Sequence, residues 1–129
     1  MSHLVDTCGW IEWLTDGVLA DKYEQYMLDI ELVIVPTSVQ FELYKWTNRV
    51  KSKQLALQAL ALTEQGIVMP LTTSIALFAA DLSAKYKLSF ADAIIYATAQ
   101  TAEAELITSD DHFENLPGVT FFRKPVERS

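Results

Sequence analysis

Four carboxylates stand where a short apolar run gives way to a helix or turn. Asp6 follows Leu4-Val5, and Glu42 lies in the helix after Leu32 to Val35. Asp92 falls in the first turn of a helix opened by Ser89, and Asp110 follows Leu106 to Thr108. Ligands of an open parallel sheet bind at the carboxyl ends of its strands, so four acids far apart in sequence can converge on one edge. Carboxylates within a few ångströms of one another repel strongly. One or two Mg2+ or Mn2+ ions resolve that conflict, because hard cations take oxygen ligands and keep waters for a substrate phosphate. Such a site can generate hydroxide and stabilise the leaving oxygen of an in-line phosphodiester displacement.

Each acid also has a plainer role open to it. Asp6 can cap the following helix, and Ser89-Phe90-Ala91-Asp92 reads as a capping-box variant. Glu42 on a helix is commonly solvated, although here it stands among Phe41, Leu43 and Tyr44. Asp110 and Asp111 suit a turn, and their adjacency leaves the fourth ligand open between them. What favours a site is the placement that the four share.

The elements that must position them alternate along the chain. Strands are expected at His3 to Asp6, Leu32 to Val35, Ile67 to Met69, Leu106 to Thr108 and Val119 to Phe122. Helical spacing links Leu19, Tyr23, Tyr26, Met27 and Ile30. Thr37 or Ser38, with Gln40, forms a capping box for a helix to about Asn48. Further helices are expected from Leu55 to Gln65, ended by Gly66 as a C-cap, from Thr73 or Ser74 to Tyr86, and from Phe90 to Ala102. Strands separated by helices imply right-handed crossovers. The expected fold is one α/β domain over residues 1–129, a mostly parallel five-stranded sheet with helices on both faces.

Composition removes several alternatives. The chain has 129 residues, half of them hydrophobic and 21% charged, enough for a real core. Four scattered glycines exclude a phosphate-cradling loop and with it P-loop and dinucleotide-binding enzymes. One cysteine and two histidines are too few for a structural zinc site, and the lone thiol suits a reducing cytoplasm. Uninterrupted apolar runs stop far short of the ~20 residues that span a bilayer. Asp6 interrupts the stretch where a signal sequence would be apolar. A formal charge of −7 argues against a non-specific nucleic-acid binder, but fits carboxylates gathered around a divalent cation.

Leu4-Val5-Asp6-Thr7, the Glu42 helix, Phe90-Ala91-Asp92-Ala93-Ile94-Ile95 with Ala97-Thr98-Ala99, and Thr108-Ser109-Asp110 with Phe113 and Leu116-Pro117-Gly118 together resemble PIN-domain ribonucleases. The compact form is similar to the VapC toxins of VapBC toxin–antitoxin pairs. The resemblance runs in order along almost the whole chain. It implies that Asp6, Glu42, Asp92 and Asp110 form a metal-binding catalytic quartet. It further implies Mg2+- or Mn2+-dependent RNA cleavage, homodimerisation, and inhibition by a VapB-like antitoxin whose C-terminal segment occupies the acidic site. Cys8 departs from the pattern, standing where a small residue such as serine is more usual, so the hydroxyl of interest is that of Thr7.

Other residues read two ways against this background. Lys45, Arg49, Lys51 and Lys53 could hold an RNA backbone beside the metals or be a solvated helix end favoured by the helix dipole. Trp10, Trp13 and Trp46 could stack on bases or bind an antitoxin helix, or simply pack. Thr108 and Ser109 can orient the Asp110 loop by hydrogen bonds. His112 is either a proton shuttle or an ordinary loop histidine, and Cys8 a packed thiol with no activating neighbour. The alternatives are a catalytically silent interaction module of the same fold and an aspartyl-phosphate phosphotransferase or receiver domain. A phosphotransferase of that kind wants a second Asp where Cys8 stands, and a receiver leaves the Asp92 motif unexplained.

Overall fold

The computed structural model describes residues 2–125. Five strands, β1 (His3–Val5), β2 (Val33–Pro36), β3 (Ile67–Met69), β4 (Glu105–Thr108) and β5 (Val119–Phe121), form one sheet in the order β3-β2-β1-β4-β5. Every pairing is parallel: Leu4 stands opposite Ile34 on one side and Leu106 on the other. The connecting helices are α1 (Thr7–Leu14), α2 (Ala20–Met27), α3 (Thr37–Val50), α4 (Lys53–Thr63), α5 (Thr73–Tyr86) and α6 (Phe90–Thr101).

The central strands are apolar on both faces, as a sheet covered by helices requires. Leu4, Val5, Val33, Val35, Leu106 and Ile107 are fully buried. After β1 the chain builds outward through β2 and β3, then returns to β1's other side with β4 and β5. The order therefore reverses between β1 and β4, and a crevice opens at the carboxyl ends of those two strands. Asp6 and Asp110 leave the sheet beside that crevice.

The helices pack as α1 with α2, α3 with α4 and α5 with α6. Gly9 permits the first of these. A Cβ there would come within 2.6 Å of Val5 Cγ1 and collide with the Tyr23 ring. Gly9→Ala is expected to destabilise the protein by about 1–3 kcal/mol, read as a lower midpoint in urea unfolding. Trp10 is fully buried and meets Trp13 edge to face at 6.1 Å, so packing describes both.

Several local expectations change. The second strand lies one residue later than expected, with Pro36 as its last residue, paired with Met69. The α3 capping box is absent: the helix starts at Thr37 with no side-chain cap, and Gln40 Nε2 donates to Thr63 Oγ1 at 3.1 Å and to Glu64 Oε1 at 3.2 Å. Gln40 thus ties α3 to the end of α4. Gly66 is not a left-handed C-cap either. A Cβ there would sit 2.6 Å from the Val33 carbonyl oxygen, so its smallness serves a close backbone approach. Thr72, rather than Thr73 or Ser74, caps α5, accepting a hydrogen bond from Ile75 N at 3.2 Å. Among the described residues no helix is long and apolar enough to cross a membrane.

Candidate metal centre

Asp6 is both a helix cap and a buried acid. Its Oδ1 accepts the Thr7 backbone N–H at 2.7 Å, and its Oδ2 accepts the Thr108 hydroxyl at 3.0 Å. The Asp6 amide donates to the Ile107 carbonyl at 3.1 Å, extending β1 along β4. Only 5% of the residue is exposed. Burial pushes its carboxyl up to about 7 against the pull of those two hydrogen bonds, and the charges of Asp110 and Glu42 push it further.

Thr7 joins two of the acids. Its amide serves Asp6, while its hydroxyl donates to Glu42 Oε1 at 3.0 Å. Glu42, on the sixth residue of α3, is partly buried. Its carboxyl is raised by that burial, lowered by the Thr7 hydrogen bond, and raised again by Asp92 and Asp110.

Asp92 fulfils half of the capping-box expectation. Its amide donates to Ser89 Oγ at 3.3 Å, but its carboxylate turns to the ring of His112, 2.9 Å from Nδ1. Asp110 takes two hydrogen bonds' worth of positioning. Its amide donates to Thr108 Oγ1 at 3.0 Å, and its Oδ1 accepts the His112 amide at 3.0 Å. The fully buried Thr108 hydroxyl therefore connects Asp6 to the Asp110 loop. Thr108→Val is expected to leave the Asp110 amide without its partner and weaken divalent-ion affinity about 10-fold, measurable by titration calorimetry.

Asp92, Asp110 and His112 each bring one ligand atom within 4.8 Å of the other two. Asp6 and Glu42 flank this group, close enough for their carboxyls to be raised by its charges. Asp111 is exposed in a single 3-10 turn, Asp111–Phe113, and stands outside the group. His112 sits between two of the acids, and Asp92 and then Asp110 hold its ring above the usual imidazole range. Cys8 lies 3.5 Å from Ser109 Oγ and 3.7 Å from Asp6 Oδ2. Burial and the Asp6 charge push its thiol up, which is the opposite of activation.

The basic residues divide. Lys45 and Arg49 line a cleft of about 260 Å3 with Phe41, Glu42 and Trp46. Lys51 faces a different, mainly apolar cleft between α1, α3 and α4, and Lys53 is exposed at the start of α4. Sequence reasoning did not place Arg123 and Lys124 beside the quartet of acids, yet they line a cleft with Asp110 and Asp111. Their position after β5 was the available signal, since parallel pairing brings the end of β5 to the same edge as the end of β4. Arg123 pairs with Glu114 at 2.8 Å and Lys124 with Glu12 at 3.4 Å.

Among the described residues, no lysine or arginine forms an ion pair with Asp6, Glu42, Asp92 or Asp110. The donors are carboxylate oxygens with one imidazole nitrogen, a set suited to a hard or borderline divalent cation. Asp6, buried and with no described lysine or arginine partner, fits that occupant. The residues present thus suit a divalent ion on the strength of their own chemistry.

The PIN domain family matches residues 3–119 of the chain. Among solved structures, a toxin–antitoxin complex from Klebsiella pneumoniae aligns with a TM-score of 0.76 at 28% identity, over 92% of this chain and 96% of that one. VapBC2 from Rickettsia felis, bound to a DNA fragment from its promoter, aligns with a TM-score of 0.75 at 14% identity, over 95% and 98% of the two chains. Mycobacterium tuberculosis VapC20, a toxin that cleaves the sarcin–ricin loop, gives 0.68 at 19% identity, over 81% and 85%. The last two similarities are of fold. No curated protein matches the sequence significantly.

Proposed function

The chain belongs to the PIN-domain family, and from that membership we propose that it is a metal-dependent endoribonuclease, the toxin of a toxin–antitoxin pair. Asp6, Glu42, Asp92 and Asp110 are its catalytic and metal-binding carboxylates. The observation that carries this reading is the unmatched acidity of one sheet edge. A carboxyl raised to about 7 by burial and by two neighbouring acids stands where no described lysine or arginine pairs with it.

Asp6, Asp92 and Asp110 offer oxygen ligands, held in place by Thr7, Thr108 and the turn after β4. When bound, Mg2+ or Mn2+ supplies Lewis-acid stabilisation of the charge that develops on a phosphodiester under in-line attack. Glu42, fixed by the Thr7 hydroxyl, orients the attacking water or completes the ligand set for a second ion. Its carboxyl, raised by burial and by Asp92 and Asp110, accepts a proton more readily than a free carboxylate. Lys45 and Arg49 share the cleft beside Glu42 and hold the RNA backbone there.

The partner is a VapB-like antitoxin, supported by the Klebsiella toxin–antitoxin complex, whose matched chain is covered over 96% of its length. The apolar cleft lined by Ile11, Leu14, Trp46, Leu55 and Leu62 offers such a partner a surface. The working form is a cytoplasmic homodimer.

Antitoxin-free protein incubated with a mixed RNA pool tests this function. Cleavage is expected with Mg2+ or Mn2+, absent in EDTA, and absent from Asp92→Asn prepared alongside. Wild type and variant equally inert, with both binding metal poorly, would favour the silent interaction module instead.

A further inference from the structure

His112 is one of two histidines in the chain, and its ring lies where the strand-end acids meet. Nδ1 is 2.9 Å from Asp92 Oδ2 and 3.3 Å from Asp110 Oδ1. A cation with bonds of about 2.1 Å holds adjacent ligands about 3 Å apart. The histidine nitrogen is therefore spaced from each carboxylate oxygen as a neighbour around one ion, and one ligand atom from each of the three residues lies within 4.8 Å of the other two. The placement is built into the backbone. Phe113, fully buried, anchors the 3-10 turn, and the His112 amide donates to Asp110 Oδ1 at 3.0 Å. The histidine side chain is 67% exposed, so Nε2 can carry the ring proton toward water while Nδ1 offers its lone pair.

Resting on the metal-dependent reading above, we propose that His112 is a third ligand of the cation held by Asp92 and Asp110, and that its nitrogen biases the site toward Mn2+ over Mg2+. Mg2+ strongly prefers oxygen and retains several waters, so it gains little from an imidazole. A first-row transition ion accepts mixed nitrogen and oxygen donors more readily. The competing role for the ring is that of a counter-cation, lying between the two carboxylates and displaced when an ion enters.

Pulsed EPR of the full chain loaded with Mn2+ separates the two roles. Modulation from a directly bound nitrogen is expected in the wild type, shifting to the 15N pattern when only histidine is labelled. His3 cannot supply it, because three extended residues place it about 10 Å from Asp6. His112→Gln is expected to remove the modulation and weaken Mn2+ binding about 10-fold. Mg2+ affinity, read by competition, should change by less than about twofold. Mn2+ bound by wild type through oxygen alone, or affinities unchanged in His112→Gln, would overturn the proposal and leave the carboxylate site standing. Failure of the wild type to bind Mn2+ would overturn it together with the reading beneath it.

Discussion

Asp6→Asn is expected to lower metal-dependent RNA cleavage by at least about a hundredfold while making the metal-free protein more stable at pH 8. The two effects have one cause. Asp6 is 5% exposed, and burial with two acidic neighbours raises its carboxyl from 3.8 to about 7. Above that pH the folded protein must hold the charge without a compensating ion, at a cost of up to about 4 kcal/mol. Asparagine removes the charge and caps α1 equally well through the Thr7 amide. Melting temperatures in EDTA at pH 8 should therefore rise by several degrees in the variant. A buried helix cap with no metal role predicts the same gain in stability but little change in activity.

The second large effect is the pH dependence of the wild type. Unfolded, Asp6 loses its proton near 3.8, whereas folded it keeps it to about 7. Between those values the native state binds more protons than the unfolded state, so stability falls as pH rises. Glu42, also raised, acts in the same direction, as does His112 above its ordinary value. Urea unfolding in EDTA should show greater stability near pH 4 than at pH 6, with the Asp6 part of the decline flattening above about pH 7. Saturating Mg2+ or Mn2+ is expected to reverse the decline at pH 8, since an ion that binds only the native state stabilises it by mass action. Metal affinity should correspondingly increase toward pH 7 as competition from protons is lost. A metal-free protein equally stable at pH 5 and pH 8 would contradict the burial of an uncompensated acid.

The fold was readable because its main signals are local. Leu32 to Val35 and Leu106-Ile107 are apolar runs of the kind that become strands buried on both faces, and Val33 to Val35, Leu106 and Ile107 are buried. Ser89 caps α6 through its own side chain, as its place before the helix suggests. The misread positions depend on contacts distant in sequence. Gln40 could serve a capping box or bridge to α4, and only the packing of α3 on α4 decides. Gly66 looked like a helix terminator, but the constraint on it is the Val33 carbonyl of another strand.

The site divides in the same way. Strand-end placement located the four acids, yet it could not distinguish Asp110 from Asp111. That distinction comes from the Thr108 hydroxyl holding the Asp110 amide and from the exposed turn that carries Asp111 away. His112 resembled a loop residue because its partner Asp92 lies twenty positions earlier. Lys45 to Lys53 form one basic run in sequence but divide in space. The chain breaks between α3 and α4, and Lys51 faces a different cleft from Lys45 and Arg49.

Calorimetric titration of Mn2+ into the antitoxin-free protein at pH 8, with Asp92→Asn measured beside it, tests the acidic edge as a metal site most directly. Saturable binding by the wild type is expected, weakened at least about tenfold in the variant, with circular dichroism unchanged between the two. No binding by a folded wild type, or equal binding by both proteins, would contradict the assignment of this sheet edge as the metal centre.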